Sequence, residues 1–254
     1  MKATGPASAV AGLGETLILG MQGILAIPRR PLEVRAVLQQ IYLQGNRAIG
    51  LLVLMSAFAG LVMAYQFGLG LSRFGAQAYI GQLTVLALTR ELMPVLTALV
   101  LGGRIVAGIS AELGAMTATE QVAAVRALGA DPVKKLVLPR LLAATIVLPL
   151  FTILGDVIGC CAGALVARLE LNIPTGTFIA SAKEILVIPD FLSGIIKSTV
   201  FGFIAGAIAC RAGLSSSGGA TGVGKATTKA VVQTSLTVVV LDFFLTRVMA
   251  PWLR

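Results

Sequence analysis

Two charged residues, Arg90 and Glu91, stand side by side in an otherwise apolar stretch, three residues before Pro94. A charge at mid-membrane depth costs about 2.5–3.5 kcal/mol on insertion scales, so it needs a partner or a polar cavity. Adjacent residues on a helix point in different directions, so these two do not simply satisfy each other. Pro94 has no N–H and frees the carbonyl of Arg90, which predicts a kink beside the charges. Two readings follow. In one, Arg90 and Glu91, with Leu92 and Pro94, line a polar cavity wall that meets an anionic or zwitterionic headgroup or gates the way to it. In the other, Arg90 or Glu91 pairs with Lys197, Asp156 or Asp242, the charges in other apolar runs, as a packing device.

Two further stretches invite chemistry. Residues 219–226 read Gly-Ala-Thr-Gly-Val-Gly-Lys-Ala, close to the phosphate-binding pattern G-x-x-x-x-G-K-[ST]. Ala226 stands where the magnesium-holding hydroxyl belongs, and an apolar run rather than a sheet strand precedes the motif, so a flexible loop is the better reading. Residues 111–140 are polar enough for a loop with its own short helix. Thr117-Ala118-Thr119-Glu120 fits a capping box, Gly129 suits the position after a helix end, and Asp131-Pro132 blocks continuation. Such a rigid element between two spans suits docking to a motor subunit, and an ordinary surface helix is the plainer alternative. No catalytic or metal-binding group is expected. The chain has no His, the commonest metal ligand and general base. Cys160, Cys161 and Cys210 lie in apolar runs without ligand spacing and read as small buried hydrophobes.

These residues must be held by elements of a particular kind. Of 254 residues, 57% are hydrophobic and only 12% charged, against about 25% charged in a typical soluble domain. That excludes an ordinary soluble enzyme, a disordered tail and a disulfide-stapled module. It predicts an all-α integral membrane protein with about five spanning helices, near residues 48–72, 80–108, 141–166, 191–210 and 230–249. Residues 1–47 form an N-terminal segment and residues 48–254 the membrane domain. No cleavable signal peptide is expected, and residues 16–28 are apolar but too short to span. In residues 32–44, Val34, Val37, Leu38, Ile41 and Tyr42 recur at helical spacing opposite Glu33, Arg35, Gln39, Gln40 and Gln44. That is the pattern of an amphipathic helix lying in the membrane interface. The net charge of +9 falls between apolar runs, as topology signals do, so no nucleic acid is expected. With the N-terminus inside, Lys and Arg divide thirteen inside against five outside. That predicts a cytoplasmic N-terminus and a C-terminus on the far side. Gly155 with Gly159, and Gly202 with Gly206, carry the small-xxx-small spacing of close helix packing.

Several blocks in order resemble the MlaE (YrbE) permease family: Arg90-Glu91-Leu92-Met93-Pro94, Gly103-Arg104, Ala111-Glu112-Leu113-Gly114-Ala115-Met116, Thr119-Glu120-Gln121, Asp131-Pro132, Pro139-Arg140, Ala226-Thr227-Thr228 and Leu241-Asp242-Phe243. The resemblance covers roughly residues 45–250. It implies a homodimeric permease half of an ATP-binding-cassette transporter that moves phospholipid between the inner and outer membranes of a diderm bacterium. ATP and magnesium would belong to a separate cytoplasmic ATPase, with no cofactor in this chain. A periplasmic MCE-domain lipid-binding protein and a STAS-domain protein are the other partners it implies. Carried over, residues 112–129 would be the coupling helix, with Glu112, Thr119, Glu120, Gln121, Arg126 and Leu128 as its contact residues, and Arg90 and Glu91 would line the lipid cavity. The rival reading is a proton-coupled secondary transporter of an amphipathic small molecule, resting on Asp156, Asp242 and Glu91 as proton carriers.

Overall fold

The computed structural model describes residues 14–16, 18–23, 25, 33–46 and 48–253. The described residues contain no strand. Residues 14–16, 18–23 and 25 are helical, and the rest of the 16–28 stretch lies outside the described residues. We number eight helices from there: α1 Val34–Asn46, α2 Ile49–Ser72, α3 Gln77–Ala118, α4 Gln121–Ala127, α5 Val133–Leu169, α6 Thr175–Ile185, α7 Ile188–Leu214 and α8 Gly219–Met249. Helices α2, α3, α5, α7 and α8 are long and apolar enough to cross a membrane. Lipid offers no hydrogen-bond partners, so a spanning backbone must satisfy itself within each segment, and helices do this.

The spans are longer than the hydropathy pattern alone suggests, because the intervening polar stretches are mostly helical too. The stretch 111–140 is not a long loop: α3 continues to Ala118 and α5 begins at Val133. Residues 219–226, with their phosphate-loop look, form the first turns of α8, so the flexible-loop reading is corrected as well. The Gly/Ser-rich signal marks only the turn at 215–218, where Gly218 has φ +91°. Helix propensity is a weak local prior, and continuation of an apolar helix on either side overrides it.

The chain forms two compact units, with boundaries inside the long helices: residues 1–46, 102–147 and 200–237 in one, and 47–101, 148–199 and 238–254 in the other. In the second unit, α2 and α5 approach so closely that a Cβ on Gly60 would land on the carbonyl of Gly159. The sequence spacing at Gly155 and Gly159 marks that contact. Likewise Gly81 faces the carbonyl of Phe178, bringing α6 against α3 over a core of Ile80, Val85, Ala164, Ala167, Ile173 and Phe178. In the first unit, Gly202 and Gly206 lie against Ala144 and Leu141, and Gly213 against Leu113. Helix α1 is anchored there by Gln44 Nε2 donating to the Arg140 carbonyl (3.5 Å) and by a Lys135–Glu33 pair (3.5 Å). Its row Val34, Leu38 and Tyr42 stays exposed, the apolar stripe an interfacial helix presents to lipid.

Replacing Gly60 by Val should cost about 2–3 kcal/mol, because the backbone opposite cannot yield as a side chain can. Gly70, on the same helix with nothing within 4 Å of its Cβ position, should accept Ala without loss. Denaturant unfolding of the two variants in detergent micelles checks the contrast.

Candidate functional site

Pro94 does free the Arg90 carbonyl, and the structure shows what fills the vacancy. Helix α3 widens into π-turns at Leu88–Leu92 and Thr97–Leu101, on either side of the proline. π-turns inside α-helices often sit at functional places, and these re-aim the charged pair. Lys197 of α7 donates from Nζ to the Arg90 carbonyl at 3.1 Å. The same ammonium donates to Glu91 Oε2 at 2.6 Å and to the Thr246 hydroxyl at 2.7 Å. All three of its protons are thus spent. Asp242 Oδ1 lies 3.2 Å away as an ion pair without hydrogen-bond direction. Thr246 Oγ1 lies 2.9 Å from the Asp242 carbonyl oxygen and 3.2 Å from Glu91 Oε1, either of which accepts its one proton.

Arg90 turns the other way. Its Nε and Nη2 both reach Asp190 Oδ1, at 2.8 and 2.5 Å. Asp190 is fully buried in the first turn of α7, where a carboxylate also suits the positive end of the helix dipole. Asp190 and Lys197 stand seven residues apart, on one face of α7, and so receive both charges of α3. Ionised, the cluster holds two cations and three carboxylates. Lys197 is almost closed to solvent, while the side chains of Glu91 and Arg90 are 43% and 27% exposed. Leu92 is half-buried, and Pro94 is buried with its ring beside Gly194.

The sequence pattern named Lys197 and Asp242 as partners for this pair, and both are present. Asp190 falls just before the expected span at 191–210, so the sequence pattern does not offer it as a partner. The signal that could have found it is its helical register with Lys197. Asp156 does not join the cluster. It lies buried in α5, and its Oδ1 has no hydrogen-bond partner among the described residues.

The second candidate site lies in the other unit. The expected 112–129 helix is corrected here: only Gln121–Ala127 forms a separate helix, and Glu112 belongs to the end of α3. The capping box does not form. The Thr117 hydroxyl bonds back to the Leu113 carbonyl (2.8 Å), and Glu120 sits in the left-handed region at φ +60° with no side-chain cap. A hydroxyl inside a continuing helix finds a carbonyl one turn back sooner than an N–H ahead. The predicted stop does form. Gly129 has φ +76°, its N–H reaches the Arg126 carbonyl, and the Ala130 N–H reaches that of Val125, the pairing of a Schellman motif. Asp131 stands just ahead of α5, its carboxylate accepting from the Val133 N–H at 2.9 Å. Thr119, Glu120, Gln121, Arg126 and Leu128 fall together on this exposed turn, with Leu128 85% exposed and Val122 buried as the inward anchor. Glu112 is set apart: its carboxylate binds Arg140 at 2.5 and 3.4 Å, and Arg140 also donates to the Leu136 carbonyl.

Residues 37–248 match the family model described as Permease MlaE. The chain is 40% identical to a probable ABC transporter permease protein of Rickettsia typhi over 226 residues, which cover 89% of this chain and 87% of the relative. It is 36% identical to one of Synechocystis over 228 residues (90% and 87%). It is also 37% identical over 234 residues to the chloroplastic protein TRIGALACTOSYLDIACYLGLYCEROL 1 of Arabidopsis thaliana (92% and 67%).

Removing the central ammonium should be far worse than removing the whole cluster. Lys197→Met leaves Glu91 and Asp242 uncompensated and should cost about 3 kcal/mol, whereas the triple change with Glu91→Gln and Asp242→Asn should recover most of it. Thermal unfolding of the purified variants in one detergent reads both.

Proposed function

This chain belongs to the MlaE permease family, and we propose that it is the membrane subunit of an ATP-binding-cassette transporter whose cargo is phospholipid. A permease of that class takes its energy from a separate ATPase, to which nucleotide and magnesium belong. The chain spans a membrane several times and is a transport protein, not an enzyme. The single observation that carries the lipid reading is the Arg90–Glu91 pair. It is a part-exposed zwitterionic patch fixed from behind by Asp190, Lys197 and Asp242, in a span that is otherwise apolar. A fixed pair of opposite charges suits a headgroup that is itself zwitterionic, and apolar surroundings suit acyl chains better than a sugar or an ion. One relative bears the name of a glycerolipid, which agrees with such a cargo.

In this reading the turn at 119–128 is the coupling element. Leu128, almost wholly exposed, and Arg126 enter the ATPase, while the Schellman stop and the Asp131 cap keep the turn rigid enough to pass a push to α3 and α5. The Glu112–Arg140 pair ties those two helices together next to it. We place the N-terminus and the coupling turn on the cytoplasmic side of the inner membrane, following the thirteen-to-five Lys/Arg count. Two copies form the permease, and MCE-domain and STAS-domain proteins complete the assembly.

Two variants in reconstituted vesicles containing the assembled complex test this. Glu91→Gln keeps a hydrogen bond to Lys197 but removes the charge. It should cut ATP-driven phospholipid transfer about tenfold, near 1.4 kcal/mol, while ATP turnover persists. Leu128→Asp should release or uncouple the ATPase. Normal transfer by Glu91→Gln would remove the cavity role. Transfer driven by a proton gradient without ATP would favour a secondary carrier instead.

A further inference from the structure

The charges of the cluster around Lys197 do not balance. Arg90 and Asp190 form a closed pair, with Nε and Nη2 of the guanidinium both on one carboxylate oxygen. That leaves one ammonium, Lys197, for two carboxylates, Glu91 on α3 and Asp242 on α8. Lys197 does not serve both. Its three protons go to Glu91, the Arg90 carbonyl and Thr246. Asp242 Oδ1 lies 3.2 Å from the same nitrogen, yet it is buried and accepts no hydrogen bond among the described residues. A buried carboxylate oxygen without a donor is costly in an apolar bundle. Ionised, the cluster is therefore one cation and one donor short. Access to the three groups also differs. Lys197 is closed to solvent, Asp242 is half-buried, and Glu91 is the most open. A cation arriving from outside meets Glu91 first.

We propose, resting on the phospholipid reading of this site given above, that the missing cation is a primary ammonium in the headgroup of the cargo, and that Asp242 is the positioning residue that admits it. The exchange needs little movement. One Lys197 proton leaves Glu91 Oε2 and turns to Asp242 Oδ1, already 3.2 Å away, while the protons on the Arg90 carbonyl and Thr246 stay in place. Lys197 remains fully paired, and Asp242 gains the donor it lacks. Glu91 then accepts from the headgroup ammonium as it did from the lysine. The cluster closes at three cations and three carboxylates. A choline group keeps the charge but has no N–H to replace the 2.6 Å bond that Lys197 gave Glu91. A glycerol headgroup brings no cation at all. Without Asp242, Lys197 has no second carboxylate, and releasing Glu91 would leave a buried ammonium uncompensated.

ATP-driven transfer by the assembled complex in vesicles tests it, with acyl-labelled phosphatidylethanolamine, phosphatidylcholine and phosphatidylglycerol offered in equal amounts. The wild type should move phosphatidylethanolamine about tenfold in preference to either competitor. Asp242→Asn should remove most of that preference, because Lys197 then holds Glu91. Asp242→Glu, which returns a carboxylate, should restore it. Lys197 keeps Glu91 in both variants, so thermal unfolding should stay close to that of the wild type. A purely structural role for Asp242 would lower all three rates together and leave their ratio unmoved. Equal transfer of phosphatidylethanolamine and either competitor by the wild type, or a preference that survives Asp242→Asn, overturns the exchange and leaves phospholipid transport standing. Transfer of none of the three removes the phospholipid reading, and the ammonium site with it.

Discussion

A lysine ammonium nearly sealed from solvent inside an apolar bundle is tolerable only if each of its protons meets an acceptor. Lys197 meets that demand with one backbone carbonyl, one carboxylate and one hydroxyl, drawn from α3 and α8. The carbonyl is free because Pro94, four residues on, has no N–H to give it. The proline, the π-turns beside it and the lysine are therefore one arrangement. The cost of burying the charge fixes how α3, α7 and α8 meet within their unit, and it leaves Arg90 and Glu91 facing outward from a rigid base.

The same economy of backbone groups recurs where helices pass each other. Gly60 against Gly159, Gly81 against Phe178 and Gly194 against Thr89 are all contacts of a missing side chain with a carbonyl oxygen. In lipid there is no hydrophobic drive between helices, so close backbone approach and dispersion replace it. The charged pairs, Arg90 with Asp190 and Arg140 with Glu112, then give each unit a fixed register.

The turn at 119–128 illustrates how local signals compete. Gly129 has a positive φ, and the helix stops where the sequence pattern places the stop, because few other residues tolerate that conformation. The start does not follow the pattern. Thr117 and Glu120 carry the letters of a capping box, but α3 runs on as a spanning helix through Ala118 and absorbs the threonine into its interior. A cap competes only at a helix end, and tertiary packing decides where that end falls.

Composition alone determined that this is a helical membrane protein, because 12% charged residues cannot cover a soluble surface of this size. The five apolar runs, the amphipathic stripe at 34–42, the proline-freed carbonyl of Arg90 and the glycine stop at 129 were also legible, since each follows from the residue itself or from a short periodicity. The tertiary structure alone decided which partners the charges take. Periodicity gave Asp190 no link to Arg90, a hundred residues away, and nothing in the linear pattern separates Asp242, which joins the cluster, from Asp156, which does not.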